Sequence, residues 1–432
     1  MPAVSFIHAA DLHLGRPFSG LTRSDQTLGR LFQQAGYKAW DRIVRTALDK
    51  KVDFVTLAGD VFDRTSPTIR ARIAFKEGIE RLQRGGIPVF LSLGNHDPLS
   101  EFPDQLRCLQ GLHVFGPQPE GQEFTRPGSD WTLRIYGVSF EGPVVQENLV
   151  RRFRRGPGVN IAIGIVHANV AGVRGHDNYA PCSVDDLVAA EMDVWCLGHV
   201  HVGRVLRQKP LILYSGTSQG AHVNEAGSRG CYLVSVDGPG DASATFIPVA
   251  RVQWREVSVD VTGISTEEDL LDVTEQACEE LYSSEDDLEA IVARIRFIGR
   301  DNLRLRGAYG RMAEIGEVLS ERLARLRVPV FPESIRDQTR SALDLDALLQ
   351  QEGFLADLLK LSRTLSEQAG SAEELVDYLV ESCPKTAYLS VNSEIQQLRE
   401  PQNLAAFLDE ARELAAELFH ESTEACGSKK FS

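Results

Sequence analysis

Phe54-Val55-Thr56-Leu57-Ala58-Gly59-Asp60-Val61-Phe62-Asp63 is a short apolar run that breaks off at a glycine and an acidic residue. It has strand length without clean alternation of apolar and polar side chains, the pattern of a strand buried on both faces. The same grammar recurs on either side. Val4–Ala10 ends in Asp11-Leu12-His13, and Ile87–Leu93 ends in Gly94-Asn95-His96-Asp97. Ile161–Val166 ends in His167-Ala168-Asn169, and Val194–Leu197 ends in Gly198-His199-Val200-His201. Helix-like stretches, Ala39–Lys50 and Ile69–Arg84, separate the early runs. Strand alternating with helix predicts α/β layering. Thr132–Val138, Leu211–Tyr214 and Gly230–Val236, linked by Gly/Pro turns, predict a second sheet packed on the first.

The polar residues at these strand ends are Asp11, His13, Asp60, Asn95, His96, His167, His199 and His201, and they include five of the ten histidines. The carboxyl ends of strands in a layered α/β sheet converge on one edge, so residues distant in sequence can meet in one pocket. Imidazole, carboxylate and amide oxygen together suit Mn, Fe or Zn in the +2 state, and the absence of cysteine disfavours a soft metal. The donor set is long enough for two ions. A shared carboxylate would hold them at the separation of about 3.5–4 Å found in two-metal sites.

The ordered set D-x-H, G-D-x-x-D, G-N-H-D, a lone H and G-H-x-H resembles the calcineurin-like metallophosphoesterase superfamily. Here it reads Asp11/His13, Gly59–Asp63, Gly94–Asp97, His167 and Gly198–His201. The segments FIHAADLHLGRPFSGL, GHDNYAPCSVDDL before LGHVH, and YSGTSQGAHVNEAG after it resemble bacterial SbcD-like DNA repair exonucleases, the YhaO-type branch most nearly. The resemblance implies a four-layer α/β/β/α sandwich. It implies two divalent cations, Mn2+ first among them with Fe2+ or Zn2+ as alternatives. One would be held by Asp11, His13, Asp60 and His201, the other by Asp60, Asn95, His167 and His199, with Asp60 as the bridge. His96 would act on the substrate phosphate or leaving oxygen, and Asp63 would orient His96 and keep it charged. The activity implied is metal-dependent DNA cleavage. An SbcC-like coiled-coil ATPase and a second copy of the chain are the partners implied. A stand-alone phosphodiesterase or phosphatase acting on a small molecule is the competing reading, because such motifs specify chemistry and not substrate.

Charge is distributed unevenly over the 432 residues. Residues 1–260 carry 28 Lys and Arg against 27 Asp and Glu, whereas 261–432 carry 18 against 34. All of the net −15 therefore resides in the second part, and a chain with two jobs is expected. Seven scattered cysteines form no C-x-x-C pair, so reduced thiols are expected. Neither a signal-like segment nor an apolar run near the ~20 residues of a membrane helix is visible, and a soluble cytoplasmic protein is expected.

Three domains are expected: 1–253 carrying the chemistry, 254–306 as a small α+β capping module, and 307–432 as an acidic helical extension that docks the partner. The module reads as strand Trp254–Val261, a helix opened by the capping box Ser265-x-x-Glu268, and strand Ile291–Ile298. Pro329–Pro332 reads as a joint, and Ser371-x-x-Glu374 as a further capping box. Leu404, Phe407, Leu408, Ala411, Leu414, Ala415 and Leu418 share one face of the last helix.

Other residues have plainer readings. His8 is a packing residue, His113 a turn residue and His420 solvated. His176 and Tyr179, with the neighbouring Asp177, could border a substrate or merely staple their own loop, and His222 and Asn224 are treated alike. The basic run Arg151-Arg152-Phe153-Arg154-Arg155 could contact a phosphate backbone, but a solvated helix face is the simpler reading.

Overall fold

A computed structural model describes residues 4–18, 26–63, 67–126, 131–172, 177–282, 287–303, 305, 311–341, 343, 345–350, 352–367, 376–377, 398, 403–404, 407–416 and 419. The chain divides into two compact units: Met1–Glu256 with Tyr282–Ala293 and Arg327–Glu333, and Val257–Leu281 with Arg294–Leu326 and Ser334–Ser432.

The first unit is built on two six-stranded sheets. One is formed, in spatial order, by β12 (Asp241–Pro248), β11 (Gly230–Gly238), β1 (Val4–Ala9), β2 (Phe54–Ala58), β3 (Val89–Ser92) and β4 (Leu112–Val114). The other is formed by β5 (Glu120–Phe124), β6 (Leu133–Gly137), β7 (Ile161–His167), β8 (Val194–Gly198), β10 (Leu211–Tyr214) and β9 (Arg204–Gln208). In the first sheet β1 to β4 run parallel and the antiparallel strands β11 and β12 lie on one side only, whereas in the second the parallel strands β6, β7, β8 and β10 are flanked on both sides by antiparallel strands.

Burial explains the unalternating sequence. Phe6, Phe54, Ala58, Ile163, Ile165 and Cys196 fill the space between the sheets. Their chain neighbours Ile7, Val55 and Leu57 face the other way, against α1 (Gln26–Lys50) and α2 (Ile69–Arg84) through Trp40, Ile43, Phe75 and Ile79. On the far sheet, Ala162, Trp195 and Leu197 pack with Leu149, Phe153 and Leu187, the last on the short helix α4 (Val184–Ala189). Both faces of both sheets are therefore apolar, and the layers run α/β/β/α. His8 is a packing residue as expected, fully buried, with Nδ1 3.1 Å from Thr56 Oγ1 and Nε2 reaching the other sheet 3.1 Å from the Leu197 carbonyl. His113 differs from its expectation: it is a residue of β4, paired with Phe90.

A three-stranded sheet runs in the order β13 (Val252–Asp260), β14 (Ala290–Ile298), β16 (Val330–Asp337), and the two-residue strands β15 (Arg300–Asp301) and β17 (Arg340–Ser341) pair in parallel. Its third strand lies where a joint and a wholly helical segment were expected. Val330 is buried, so the segment has an inward anchor that a joint lacks. Within the second unit, α5 (Glu267–Glu279) is capped by Thr266, one residue later than expected, whose side chain accepts from the Asp269 N–H. Arg322 on α6 (Arg311–Leu323) meets Glu268, Asp272 and Glu275 of α5. In the last stripe, Leu404 is buried beside Val376, while Phe407 and Leu414 are exposed. Leu418, His420 and the capping box at 371–374 lie outside the described residues. No helix among the described residues is long and apolar enough to cross a membrane.

Candidate metal centre

The loops after β1 and β2 continue to pair beyond the strands. Asp11 N–H donates to the Gly59 carbonyl at 3.1 Å, His13 N–H to Asp60 at 3.0 Å and Leu14 N–H to Val61 at 2.9 Å. This zip brings Asp11, His13 and Asp60 to one point. Asp11, His13, Asp60 and His199 all have positive φ, at 50°, 42°, 52° and 97°. Such conformations cost of order 1–3 kcal/mol each and persist where the surroundings over-determine them. The motif glycines permit the close approach. A Cβ on Gly94 would overlap an Asp60 carboxylate oxygen, and one on Gly198 would overlap the Ala58 carbonyl.

Three clusters of ligand atoms result: Asp11/His13/His201, His13/Asp60/His96 and Asp11/Asp60/His167, the atoms of each within 4.8 Å of one another. Asp60 joins the second to the third. Asn95 enters beside His167, its Oδ1 3.0 Å from His167 Nε2. The His199 ring centroid lies 5.1 Å from that of His167. Asp60, Asn95, His96, Asp177, Tyr179, His199 and His201 line an open cavity of about 410 Å³.

The donor chemistry fits cations. A carbonyl only accepts, so the 2.9 Å contact with Ala58 O places the His167 proton on Nδ1 and leaves a lone pair on Nε2. That lone pair faces Asn95 Oδ1 at 3.0 Å and an Asp60 oxygen at 3.5 Å. His201 gives its Nδ1 proton to Glu225 at 2.6 Å and turns Nε2 toward His13 Nε2 at 3.1 Å. His199 donates from Nε2 to the Asp177 carbonyl at 2.7 Å, which leaves the lone pair on Nδ1. Acceptors facing acceptors in a buried site call for a positive charge between them.

Burial and the other positive groups shape the titration. Burial first, then His201, His96 and Arg16, holds the His13 imidazole well below its usual value. Burial raises the Asp11 carboxyl to about 6, against the pull of His167. Burial opposes charge on His201, but Glu225 and Asp11 outweigh it and raise the imidazole.

His96 is oriented by Asp63 through the main chain: Nδ1 donates to the Asp63 carbonyl at 2.8 Å. This is the residue expected to orient His96, and the contact is made by its main-chain oxygen. An Asp63 carboxylate oxygen lies 3.7 Å from His13 Nδ1 and 3.7 Å from Arg16 Nε. Tyr179 borders the cavity, its ring 5.9 Å from that of His199. His222 serves its own turn, with Nδ1 accepting from the Asn224 N–H, and Asn224 is exposed. His176 lies outside the described residues.

Some contributors carried no reading in the sequence. Asp97 accepts from the N–H groups of Asp60, Val61, Phe62 and Gly94 and so shapes the β2 loop, while burial and the Asp60 charge push its carboxyl up to about 8 against those bonds. Its place in G-N-H-D was the available signal. Glu225 lies in the segment YSGTSQGAHVNEAG, which likewise marks it without giving a role, and Arg229, which donates to the carbonyls of His201, Glu225 and Ala226, lies just beyond that segment. The basic run is occupied structurally. Phe153 is fully buried against Trp195, Arg151 meets Asp186, and Arg155 meets Asp193 and three carbonyls.

A calcineurin-like phosphoesterase family model matches residues 4–203, and one for the middle domain of metallophosphoesterase YhaO matches 254–340. The chain is 32% identical over 348 residues to the uncharacterized metallophosphoesterase YhaO of Bacillus subtilis, covering 80% of this chain and 84% of that one. The chain belongs to the calcineurin-like metallophosphoesterases. Within them it is of the YhaO type. More distant metallophosphoesterase relatives include a component of the nuclease SbcCD of Bacillus subtilis, 24% identical over 292 residues, which cover 58% of this chain and 68% of that one. The DNA double-strand break repair protein Mre11 of Sulfurisphaera tokodaii is 26% identical over 212 residues, which cover 48% of this chain and 51% of that one. The metallophosphoesterase fold implies two divalent metals, and the acceptor-lined centre is a candidate site for them.

Proposed function

We propose that this metallophosphoesterase is a DNA nuclease that hydrolyses backbone phosphodiesters with two divalent cations, Mn2+ being the first candidate. The observation that supports hydrolysis is the ring of acceptors around Asp60, opening on a cavity with His96 at its border. One cation would be held by Asp11, His13, Asp60 and His201, the other by Asp60, Asn95, His167 and His199. Bound cations of this kind supply Lewis acidity and lower the pKa of water. His96, its Nδ1 proton engaged by the Asp63 carbonyl, keeps Nε2 for the phosphoryl group or the leaving oxygen, the position of a general acid. Tyr179 would border the substrate.

The substrate class rests on relatives named as part of a nuclease and as double-strand break repair proteins. By the same token an SbcC-like ATPase is proposed as partner, docking on 307–432, with residues 254–306 helping to select the DNA and a second copy completing the assembly. The test compares Mn2+-dependent turnover of single- and double-stranded DNA, bis-p-nitrophenyl phosphate and nucleotide monoesters. DNA and the diester should be cleaved and monoesters spared. Monoester turnover without DNA cleavage would assign the same residues to a small-molecule phosphatase instead.

A further inference from the structure

We infer that Glu225 is a positioning residue that makes the Asp11–His13–His201 position the stronger of the two cation sites. The inference rests on the two-cation reading above. It starts from the hydrogen bonds that the imidazoles make on the side turned away from the centre; among the described residues the Nδ1 of His13 makes none and lies 3.7 Å from the Asp63 carboxylate. His167 meets the Ala58 carbonyl, His199 the Asp177 carbonyl and His96 the Asp63 carbonyl. His201 meets a carboxylate, Glu225 Oε1, at 2.6 Å. A carboxylate behind an imidazole fixes the tautomer as a carbonyl does, and also makes the opposite nitrogen a better electron donor.

Glu225 is itself held for this task. It is 4% exposed in a short turn, Val223–Glu225. Oε1 also accepts from Arg16 Nη1 at 2.9 Å, and Oε2 accepts from the Ala221 N–H at 2.7 Å. Its own carbonyl accepts from Arg229 Nε at 3.0 Å, while Arg229 Nη1 donates to the His201 carbonyl at 2.7 Å. The turn therefore grips His201 by side chain and main chain at once. Both carboxylate oxygens are engaged, so an amide at this position would forfeit one of the bonds. The carboxylate hydrogen bond is made on the His201 side of the centre at 2.6 Å, whereas His167 donates to a carbonyl and has the Asp11 carboxylate only at 3.9 Å, and the outward bond of His199 is to a carbonyl.

The test titrates metal-free protein with Mn2+ and follows stoichiometry, affinity and the electron paramagnetic resonance of coupled against isolated Mn2+. Wild type should bind two equivalents. Glu225→Gln should keep one at wild-type affinity and weaken the other by about 10–100-fold, the range for lost outer-sphere support. Asn95→Ala should weaken the opposite position, so that the double variant loses both. Equal weakening of both positions by Glu225→Gln, unchanged affinity, or a double variant no weaker than either single would overturn the inference. Should Glu225→Gln fail to fold, Glu225→Asp retains the charge but retracts it from Nδ1, and the same selective loss is expected and decisive. A wild type that binds two Mn2+ and cuts phosphodiesters beside an unaffected Glu225→Gln defeats this inference alone. A wild type that binds none defeats the two-cation reading itself.

Discussion

The two six-stranded sheets share a plan, yet they bring different chemistry to the same site. Loops after β1, β2 and β3 present Asp11, Asp60 and Asn95, whereas the last residue of β7 is His167 and the loop after β8 presents His199 and His201. Oxygen donors come mainly from one sheet and imidazoles from the other, with His13 and His96 crossing the division. Neither sheet alone holds a complete donor set. The centre is a product of sheet-on-sheet packing, secured by bonds that cross from one to the other. His199 N–H donates to both carboxylate oxygens of Asp11, at 3.0 and 3.1 Å, and His167 donates to Ala58. Thr217 Oγ1 donates to the Asp11 carbonyl at 2.8 Å.

The severest way to break this arrangement is Asp60→Asn. Asp60 belongs to clusters with residues of both sheets, and a neutral amide bridges two cations poorly. Metal analysis should find both equivalents depleted and phosphodiester hydrolysis abolished. Two full equivalents with normal turnover would remove Asp60 from the bridging role.

His96→Ala should leave the two-sheet donor set intact while cutting turnover by about 10²–10⁴-fold, the contribution of a general acid. Mn2+ stoichiometry measured beside kcat separates the roles. Loss of a metal in this variant would make His96 a ligand.

Gly198→Ala probes the approach of the sheets without replacing a polar side chain. Its Cβ would overlap the Ala58 carbonyl, which must stay where His167 can reach it. Backbone cannot swing aside as a side chain can, so about 3 kcal/mol or more of stability should be lost, with weaker metal binding. Urea unfolding of metal-free protein measures the first part, and an unchanged midpoint would show that the sheets have slack here.

His8 sharpens the comparison least invasively, since it joins the sheets away from the donor set. Burial lowers its imidazole to about 4, against the Leu197 and Thr56 hydrogen bonds, from an ordinary 6.5. The unfolded chain then binds the proton more readily, so this contribution is complete above pH 6.5 and is lost as pH falls toward 4. Between pH 7 and pH 5 wild type should lose about 2 kcal/mol more than His8→Gln. Parallel unfolding curves at both pH values check this, and equal losses would mean that His8 is charged within the fold.

Much of this was legible beforehand because the strand-end motifs are local. A strand buried on both faces must be apolar throughout, so Phe54–Ala58 and Leu211–Tyr214 are found with the limits read from sequence. The motif residues abut these strands and inherit their positions. α2 begins and ends at Ile69 and Arg84 as read, where Thr68 caps one end and Gly85 the other. Val330–Asp337 was misread because two prolines nearby suggest a break, while its place in the sheet depends on β14, a partner distant in sequence. The α5 cap moved by one residue because Ser265 and Thr266 both offer a hydroxyl three residues before an acidic side chain.

The sequence by itself determined the kinds of donor, their order and the strands that carry them, since each follows from residue type and short-range pattern. Tertiary structure alone decided what stands behind each donor. Ala58, Asp177 and Asp63 offer main-chain carbonyls to the histidines, and every residue has a carbonyl, so no side-chain pattern can mark them. Glu225 reaches His201 from 24 residues away, and its place in YSGTSQGAHVNEAG does not say which side chain it meets. Only the packing that closes that turn against the β8 loop distinguishes this glutamate from the rest of the chain's 61 acidic residues.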